Sequence, residues 1–329
     1  MTVQVFQVDP VSLFAPYDFE EERIASLGGK LTLGSCQTEA DVIKQAGDAE
    51  ILLVSWLGIV TPAVMDALPK LRLIVRWGVG YDMIDADAAA ARGIAVANAP
   101  TYCGEEVAEH TIALLMAISR RIVWAHENIR AGGWTAPPGT IHRIKGRTLG
   151  IIGCGAIGLK VAERAQGLGL RVVGYDEYRP AESLRERGVE PMSFDEVLAQ
   201  ADYLTTHVPL NAGTRALIDA GALAKLKPGS LIVNTSRGSV IDQAALIAAL
   251  ESGHIAAAGL DVFEEEPLPL DSPLRQLPNV VLTPHLAATS IESLHLLRVE
   301  MCDTIGDWIS TGWSPRIVNP AVKSNLRAR

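Results

Sequence analysis

Residues 148–158 read TLGIIGCGAIG, an aliphatic run suited to a strand that passes directly into the pattern GxGxxG and then into a helical pattern over Leu159–Gln166. Each glycine has a distinct role in that context. Gly153 permits a tight turn, Gly155 lets the backbone approach a pyrophosphate, and Gly158 allows a helix to pack closely on the strand. Together with Ala156 and Ile157 they open a helix whose N-terminal N–H groups and partial positive charge favour a phosphate. An isolated GxGxxG is weak evidence. Here the next aliphatic run, RVVGYD at 171–176, ends in an acid 18 residues after Gly158, close to the roughly 20 expected of a carboxylate that binds a ribose. The combination points to a dinucleotide cofactor. Asp176 favours NAD over NADP, because a carboxylate accepts hydrogen bonds from ribose hydroxyls and repels a 2′-phosphate. Arg179 reads in two ways, as a group that covers the adenine or tolerates a phosphate, or as an ordinary solvated arginine.

Three further segments carry reactive side chains, each just after a run that reads as a strand: NTSRGS at 234–239, LDVFEEEP at 260–267 and LTPH at 282–285. In an open parallel sheet, ligands gather at the carboxyl ends of strands. Arg237 brings a cation, Glu266 an acid and His285 a group that can give and take a proton. Hydride transfer to a 2-oxo acid needs a cation for the carboxylate, a donor that polarises the carbonyl and an acid for the developing alkoxide. Singly, the three read as a surface arginine, an acidic loop and a turn histidine. Their recurrence after three strands favours a common site.

The elements that must position them follow from hydrophobic patterning. Strand-like runs at Val3–Val8, Ile51–Ser55, Leu73–Arg76 and Ile94–Ala97 alternate with helical patterns at Asp18–Leu27, Glu39–Ala46 and Asp85–Arg92. One long helix is expected over Gly104–Arg130, burying a face of Leu114, Ile118, Ile122, Ala125 and Ile129. Gly132-Gly133-Trp134 to Pro137-Pro138-Gly139 breaks it. Six parallel strands then follow, at 148–152, 171–175, 203–207, 231–234, 256–260 and 280–282. A last helix from about Ala288 to Ile309 is expected to return to the first core. The predicted fold class is α/β: two doubly wound parallel-sheet domains with a cleft between them. A Rossmann cofactor domain spans 101–288, and a flavodoxin-like substrate domain spans 1–100 plus 289–329. Closure at the two crossovers of the chain between these domains, near Pro100 and near residue 288, is expected to bring Val79 and Gly80 against Arg237 and expel water.

Composition excludes other classes. With 48% hydrophobic and 20% charged residues and 29 glycines, the chain is globular rather than disordered. A net charge of −9 opposes a phosphate-tracking surface, so neither nucleic acid nor an anionic membrane is an expected partner. Cys36, Cys103, Cys154 and Cys302 are scattered without a CxxC pair, indicating neither a metal site nor a disulfide framework. Cys103 and Cys154 occupy positions where a thiol could be exposed and oxidisable. The N-terminus MTVQVFQVDP reads as a strand without a basic apolar leader, and no stretch of about 18 apolar residues occurs, so a cytoplasmic location is expected.

These segments, with LRLIVRWGVGYDMID at 71–85, NAPTYCGEEVAEHTIALLMA at 98–117 and HVPL at 207–210, make the chain resemble the D-isomer-specific 2-hydroxyacid dehydrogenase family over nearly its whole length. The resemblance implies that Arg237 binds the substrate carboxylate and polarises the C2 carbonyl. It implies that His285 exchanges the proton, and that Glu266 holds its imidazole and favours the protonated form. Val79 and Gly80 would offer backbone N–H groups to the carboxylate, with Arg76 and Trp77 close by. His207, Val208, Pro209, Thr214, Thr235, Ser236, Asp261 and Ala288 would line the cofactor site, with Asp261 taking the carboxamide. A homodimer formed through the cofactor domain and a small 2-hydroxy or 2-oxo acid substrate are further implications. Met83 departs from the asparagine of many members. The competing reading is an NAD(H)-sensing corepressor-like protein with little catalysis.

Overall fold

The computed structural model describes residues 2–9, 15–55, 58–137 and 139–327. Met1, Pro10 and Pro138, which the patterning placed in the first strand and in the glycine-proline break, lie outside the described residues. The chain divides into two compact units, Met1–Cys103 with Ser290–Arg329, and Gly104–Thr289.

The first unit begins with β1 (Val3–Gln7), α1 (Asp18–Ser26), β2 (Gly29–Leu33), α2 (Glu39–Ala46) and β3 (Ile51–Val54). It continues with α3 (Pro62–Ala67), β4 (Leu73–Arg76), α4 (Ala86–Ala91) and β5 (Ala95–Ala97). Its five strands are parallel in the order β2-β1-β3-β4-β5, the flavodoxin-like arrangement whose ligand crevice lies where the order reverses. Strands β3 and β4 are aliphatic at almost every position because helices cover both faces of the sheet, so no alternation with polar residues is possible.

The second unit contains α5 (Gly104–Ser119), α6 (Ile122–Arg130), β6 (Thr148–Ile152), α7 (Ala156–Gly167), β7 (Arg171–Tyr175), α8 (Ala181–Arg185) and β8 (Glu190–Pro191). After these come α9 (Phe194–Gln200), β9 (Tyr203–Thr206), α10 (Ala220–Lys225), β10 (Ser230–Asn234), α11 (Gln243–Glu251), β11 (Ile255–Leu260) and β12 (Val280–Leu282). The parallel order is β12-β11-β10-β9-β6-β7-β8. The switch point falls between β6 and β9, so the glycine turn after β6 opens onto the crevice of a Rossmann-type sheet.

The last helix, α12 (Ile291–Thr311), belongs to the first unit. A capping box between Ser290 and Ser293 starts it, and Gly312 in the left-handed region ends it. Leu297, Met301, Ile305 and Trp308, spaced by four, four and three residues, pack with Val5, Leu53 and Val75. Arg298 leaves that face to pair with Glu20 of α1, whose side chain is wholly buried, and its guanidinium also lies over the Phe19 ring.

The structure corrects several expectations. The single helix over Gly104–Arg130 is two, because Arg121 takes a left-handed conformation (φ 53°) that sends its guanidinium to the carbonyl of Ala256 in β11. The expected buried stripe therefore stops there: Leu114 and Ile118 are buried, whereas Ile122 and Ile129 are each 53% exposed. The second sheet has seven strands rather than six. The extra one, β8, is a two-residue edge strand containing Pro191, too short to leave a hydrophobic pattern. Strand β2 and helix α3 also escaped the patterning, β2 because it is an edge strand with only Gly29 buried. All four cysteines are buried, and the Cys154 thiol is pushed up to about 12 by burial, so the expected exposure of Cys103 and Cys154 is overturned. Among the described residues no helix is long and apolar enough to cross a membrane.

Replacing Arg298 with Met strands the Glu20 carboxylate in an apolar setting and is expected to cost about 3–5 kcal/mol, the range for breaking a buried ion pair. Denaturant unfolding monitored on the first unit checks this; an unchanged midpoint refutes it.

Candidate active site

The glycine turn has the shape its spacing predicts. Gly153 sits at φ 91°, and a Cβ there would lie 2.7 Å from the carbonyl carbon of His207. A Cβ on Gly158 would come within 2.2 Å of the Gly153 carbonyl oxygen, so only glycine allows α7 to approach β6 this closely. A Cβ on Gly155 would meet nothing within 4 Å. That opening lies at the N-terminus of a 12-residue helix with no side-chain cap, where N–H groups await an acceptor. The open space beside Gly155 leaves room for a group approaching from outside, and a pyrophosphate fits it.

Asp176, at the end of β7, is fixed by three backbone donors. Its carboxylate accepts from Cys154 N–H at 2.8 Å, Tyr178 N–H at 2.9 Å and Arg179 N–H at 3.0 Å. The acid thus ties its own loop to the glycine turn. His207 donates its backbone N–H to Ile152, its ring bonds the Thr205 hydroxyl at 3.1 Å, and burial drives it down to about 3, so it stays neutral. Val208 packs beside the core. The Thr214 hydroxyl is used within the 209–214 loop, donating to the Pro209 carbonyl at 2.5 Å and accepting from Asn211 N–H at 2.9 Å.

The segment after β10 is organised by Asn234, which is only 1% exposed. Its side-chain oxygen accepts from the Thr206 hydroxyl and from both the N–H and hydroxyl of Ser236, and its amide donates to the Arg237 carbonyl at 2.8 Å. Thr111 of α5 spends its hydroxyl proton on the Val107 carbonyl, so the Thr235 hydroxyl donates to Thr111 at 2.8 Å. Gly238 then lies so close to the backbone of Phe263 that a Cβ would overlap it at 1.8 Å. This contact presses the Arg237 segment against the Glu266 segment.

There His285 Nδ1 meets Glu266 Oε2 at 2.6 Å, while the other Glu266 oxygen accepts from Phe263 N–H at 2.9 Å. Burial works against ionising Glu266, but the hydrogen bond and charge of His285, the Phe263 N–H and the Arg237 charge outweigh it and hold the carboxyl below its usual range. The Glu266 carboxyl thus feels the charges of both His285 and Arg237.

His285 adopts φ 50°, a costly conformation for a residue with a Cβ. Asp261, fully buried, maintains it. Its carbonyl accepts from His285 N–H at 2.8 Å, and its carboxylate accepts from Leu286 N–H at 3.0 Å, Ala287 N–H at 2.9 Å and the Thr283 hydroxyl at 2.5 Å. Half-buried Ala288 follows in the same turn. Asp261, expected as a cofactor contact, is therefore first a tether for the 283–287 loop. The roles of Asn234, Thr111, Thr283 and His110, whose ring reaches Thr283, were not read from the sequence. The one available signal was a polar residue beside an otherwise apolar run.

In the first unit, Val79 and Gly80 are half-buried after β4. The carbonyl of Gly78 accepts from Ala99 N–H at 3.0 Å and that of Val79 from the Asn98 amide at 2.6 Å. With these carbonyls turned inward, neither the Val79 nor the Gly80 N–H has an acceptor among the described residues. Arg76 is buried with its guanidinium under Gly78, where a Cβ would lie 2.0 Å away, so it supports the loop from beneath. Trp77, expected either beside the substrate carboxylate or as a structural aromatic, is 3% exposed and packs edge-on against Tyr17 within the core.

Residues 112–287 match the D-isomer specific 2-hydroxyacid dehydrogenase, NAD binding domain family. The chain is 40% identical over 314 residues, 94% of its length, to a D-3-phosphoglycerate dehydrogenase of Mycobacterium leprae, of which it covers 59%. It is 40% identical over 285 residues to a glyoxylate reductase of Korarchaeum cryptofilum, covering 85% of this chain and 86% of that one. A crystal structure of a glyoxylate reductase from Paecilomyes thermophila superposes with a TM-score of 0.88 at 32% identity, covering 96% and 98% of the two chains. The chain belongs to the D-isomer specific 2-hydroxyacid dehydrogenase family. It spans only about half to three fifths of the mycobacterial phosphoglycerate dehydrogenases it matches.

Two outcomes are expected. Gly155→Val leaves the thermal midpoint unchanged but weakens dinucleotide binding by about tenfold or more, whereas Gly158→Ala lowers the midpoint itself, since its Cβ strikes backbone. Equal behaviour of the two variants, by thermal melts and NADH titration, contradicts the assignment. Because the folded Glu266 carboxyl titrates below its ordinary 4.5, its pairing stabilises the protein above that pH and is lost as pH falls through the folded value. The stability gap between wild type and Glu266→Gln should therefore close in acid; a gap independent of pH sinks the argument.

Proposed function

We propose that the protein is a nicotinamide-dependent dehydrogenase moving a hydride between the cofactor and carbon 2 of a small 2-hydroxy or 2-oxo acid. The observation that carries this reading is the 2.6 Å contact of His285 with Glu266 on a segment pressed against that of Arg237. When bound, the cofactor supplies or accepts the hydride. Gly153, Gly155, Ala156, Ile157, Gly158 and Asp176 would hold its pyrophosphate and adenosine ribose. His207, Val208, Pro209, Thr214, Thr235, Ser236, Asp261 and Ala288 would border its nicotinamide half.

Arg237 binds the substrate carboxylate and polarises the C2 carbonyl. With Nδ1 committed to Glu266, proton exchange with the C2 oxygen falls to His285 Nε2, which gives a proton in reduction and takes one in oxidation. The Glu266 carboxylate balances the imidazolium charge and fixes the ring. As the family resemblance implies, the N–H groups of Val79 and Gly80 would offer donors to a carboxylate, and Arg76 holds their loop in place. Asp176 supports NAD over NADP, because its immobilised carboxylate cannot swing away from a 2′-phosphate; related solved structures include complexes with NAD and with NADP(H). A homodimer through the second unit accounts for the exposure of Ile122, Ile129 and Trp134, the last 89% exposed.

NADH oxidation against glyoxylate, hydroxypyruvate, pyruvate, phenylpyruvate and 2-oxoglutarate, with NADPH in parallel, tests the reading. Turnover with NADH on one or two of these acids is expected. Silence across the panel with NADH binding retained would transfer the weight to a sensing role. His285→Ala should lower turnover by roughly 100-fold or more with NADH affinity nearly intact; equal loss of both would make His285 a structural residue. Light scattering should give the mass of two chains.

A further inference from the structure

His110 lies on α5, a helix packed on β10, β11 and β12. Its ring Nε2 stands 3.0 Å from Thr283 Oγ1 and 3.5 Å from Asp261 Oδ1. The single hydroxyl proton of Thr283 is committed to Asp261 at 2.5 Å, so Thr283 can only accept from the ring, and His110 Nε2 must carry hydrogen. The result is a directed chain from His110 to Thr283 to Asp261, ending on a carboxylate whose side chain is 1% exposed. A buried carboxylate is stable only when donors surround it, and successive donors strengthen one another in a low dielectric.

The consequence concerns His285. Its left-handed backbone is held by Asp261, and Asp261 holds Leu286 and Ala287 through the carboxylate that the chain orients. Thr283 and the 286–287 backbone converge on this one side chain, while the His285 N–H is held by the backbone carbonyl of the same residue. His110 is the group that ties the assembly to a long helix.

We propose that His110 is a positioning residue: acting through Thr283, it locks the Asp261 carboxylate in the orientation that clamps the 283–287 loop and so presents His285 for proton transfer. The kinetic part of this proposal rests on the dehydrogenase reading, and the structural part stands without it. His110→Leu removes the donor at similar size, and His110→Gln returns an N–H to the same reach. Two readouts are compared in wild type and both variants: hydrogen–deuterium exchange across 283–287, and kcat and KM for the best acid of the panel.

The Leu variant should exchange the Leu286 and Ala287 amides about tenfold faster or more, and lose roughly 10–100-fold in kcat with KM for the acid little changed. The Gln variant should restore both to within a few-fold. Wild-type exchange in the Leu variant, or a Gln variant as impaired as Leu, overturns the proposal. If wild type turns over none of the acids, the dehydrogenase reading fails while the exchange comparison still decides the positioning role. Should the Leu variant not fold, Thr283→Val against Thr283→Ser makes the same comparison with the same expected outcomes.

Discussion

A carboxylate removed from water must be surrounded by donors, and in the second unit that requirement is met at Asp261 by folding a loop around it. Two backbone N–H groups, one hydroxyl and a nearby imidazole face its two oxygens. Compensation on this scale explains how His285 can keep a backbone conformation that a side chain disfavours. The cost of the left-handed residue is small beside that of leaving the carboxylate unsatisfied. The imidazole is therefore aimed by a buried charge that is distinct from its own side-chain partner, Glu266.

The same logic recurs without charge at Asn234, which gathers Thr206, Ser236 and Arg237 around one buried amide. It recurs at Asp176, which collects three N–H groups and joins its loop to the glycine turn. All three hubs lie at carboxyl ends of parallel strands, where the backbone leaves the sheet and its groups need new partners. Rigid strands bring the segments together, and buried polar side chains then set the loop conformations. Such loops are pre-organised, their conformations set before anything binds.

The first unit uses its own version. Inward hydrogen bonds of the Gly78 and Val79 carbonyls turn the next N–H groups outward, and a buried arginine fills the space beneath them. The shape of this loop is set by backbone hydrogen bonds more than by the side chains it carries.

Much of this was legible in the amino-acid order. Continuous aliphatic runs announced strands covered on both faces, and the spacing of Gly153, Gly155, Gly158 and Asp176 specified a turn whose stereochemistry admits few alternatives. Arg237, Glu266 and His285 were recognisable by type and by their place after strands. Tertiary structure alone decided which buried groups satisfy one another: His110 reaches Thr283 across 173 residues, and Thr283 reaches Asp261 across 22. It also decided that Trp77 packs in a core, that Arg121 interrupts a helix whose apolar spacing continues past it, and that β2 and β8 are strands at all. Periodicity reports which face of an element is apolar. Hydrogen-bond partners and edge-strand pairing depend on what the rest of the chain brings alongside, and no local pattern encodes that.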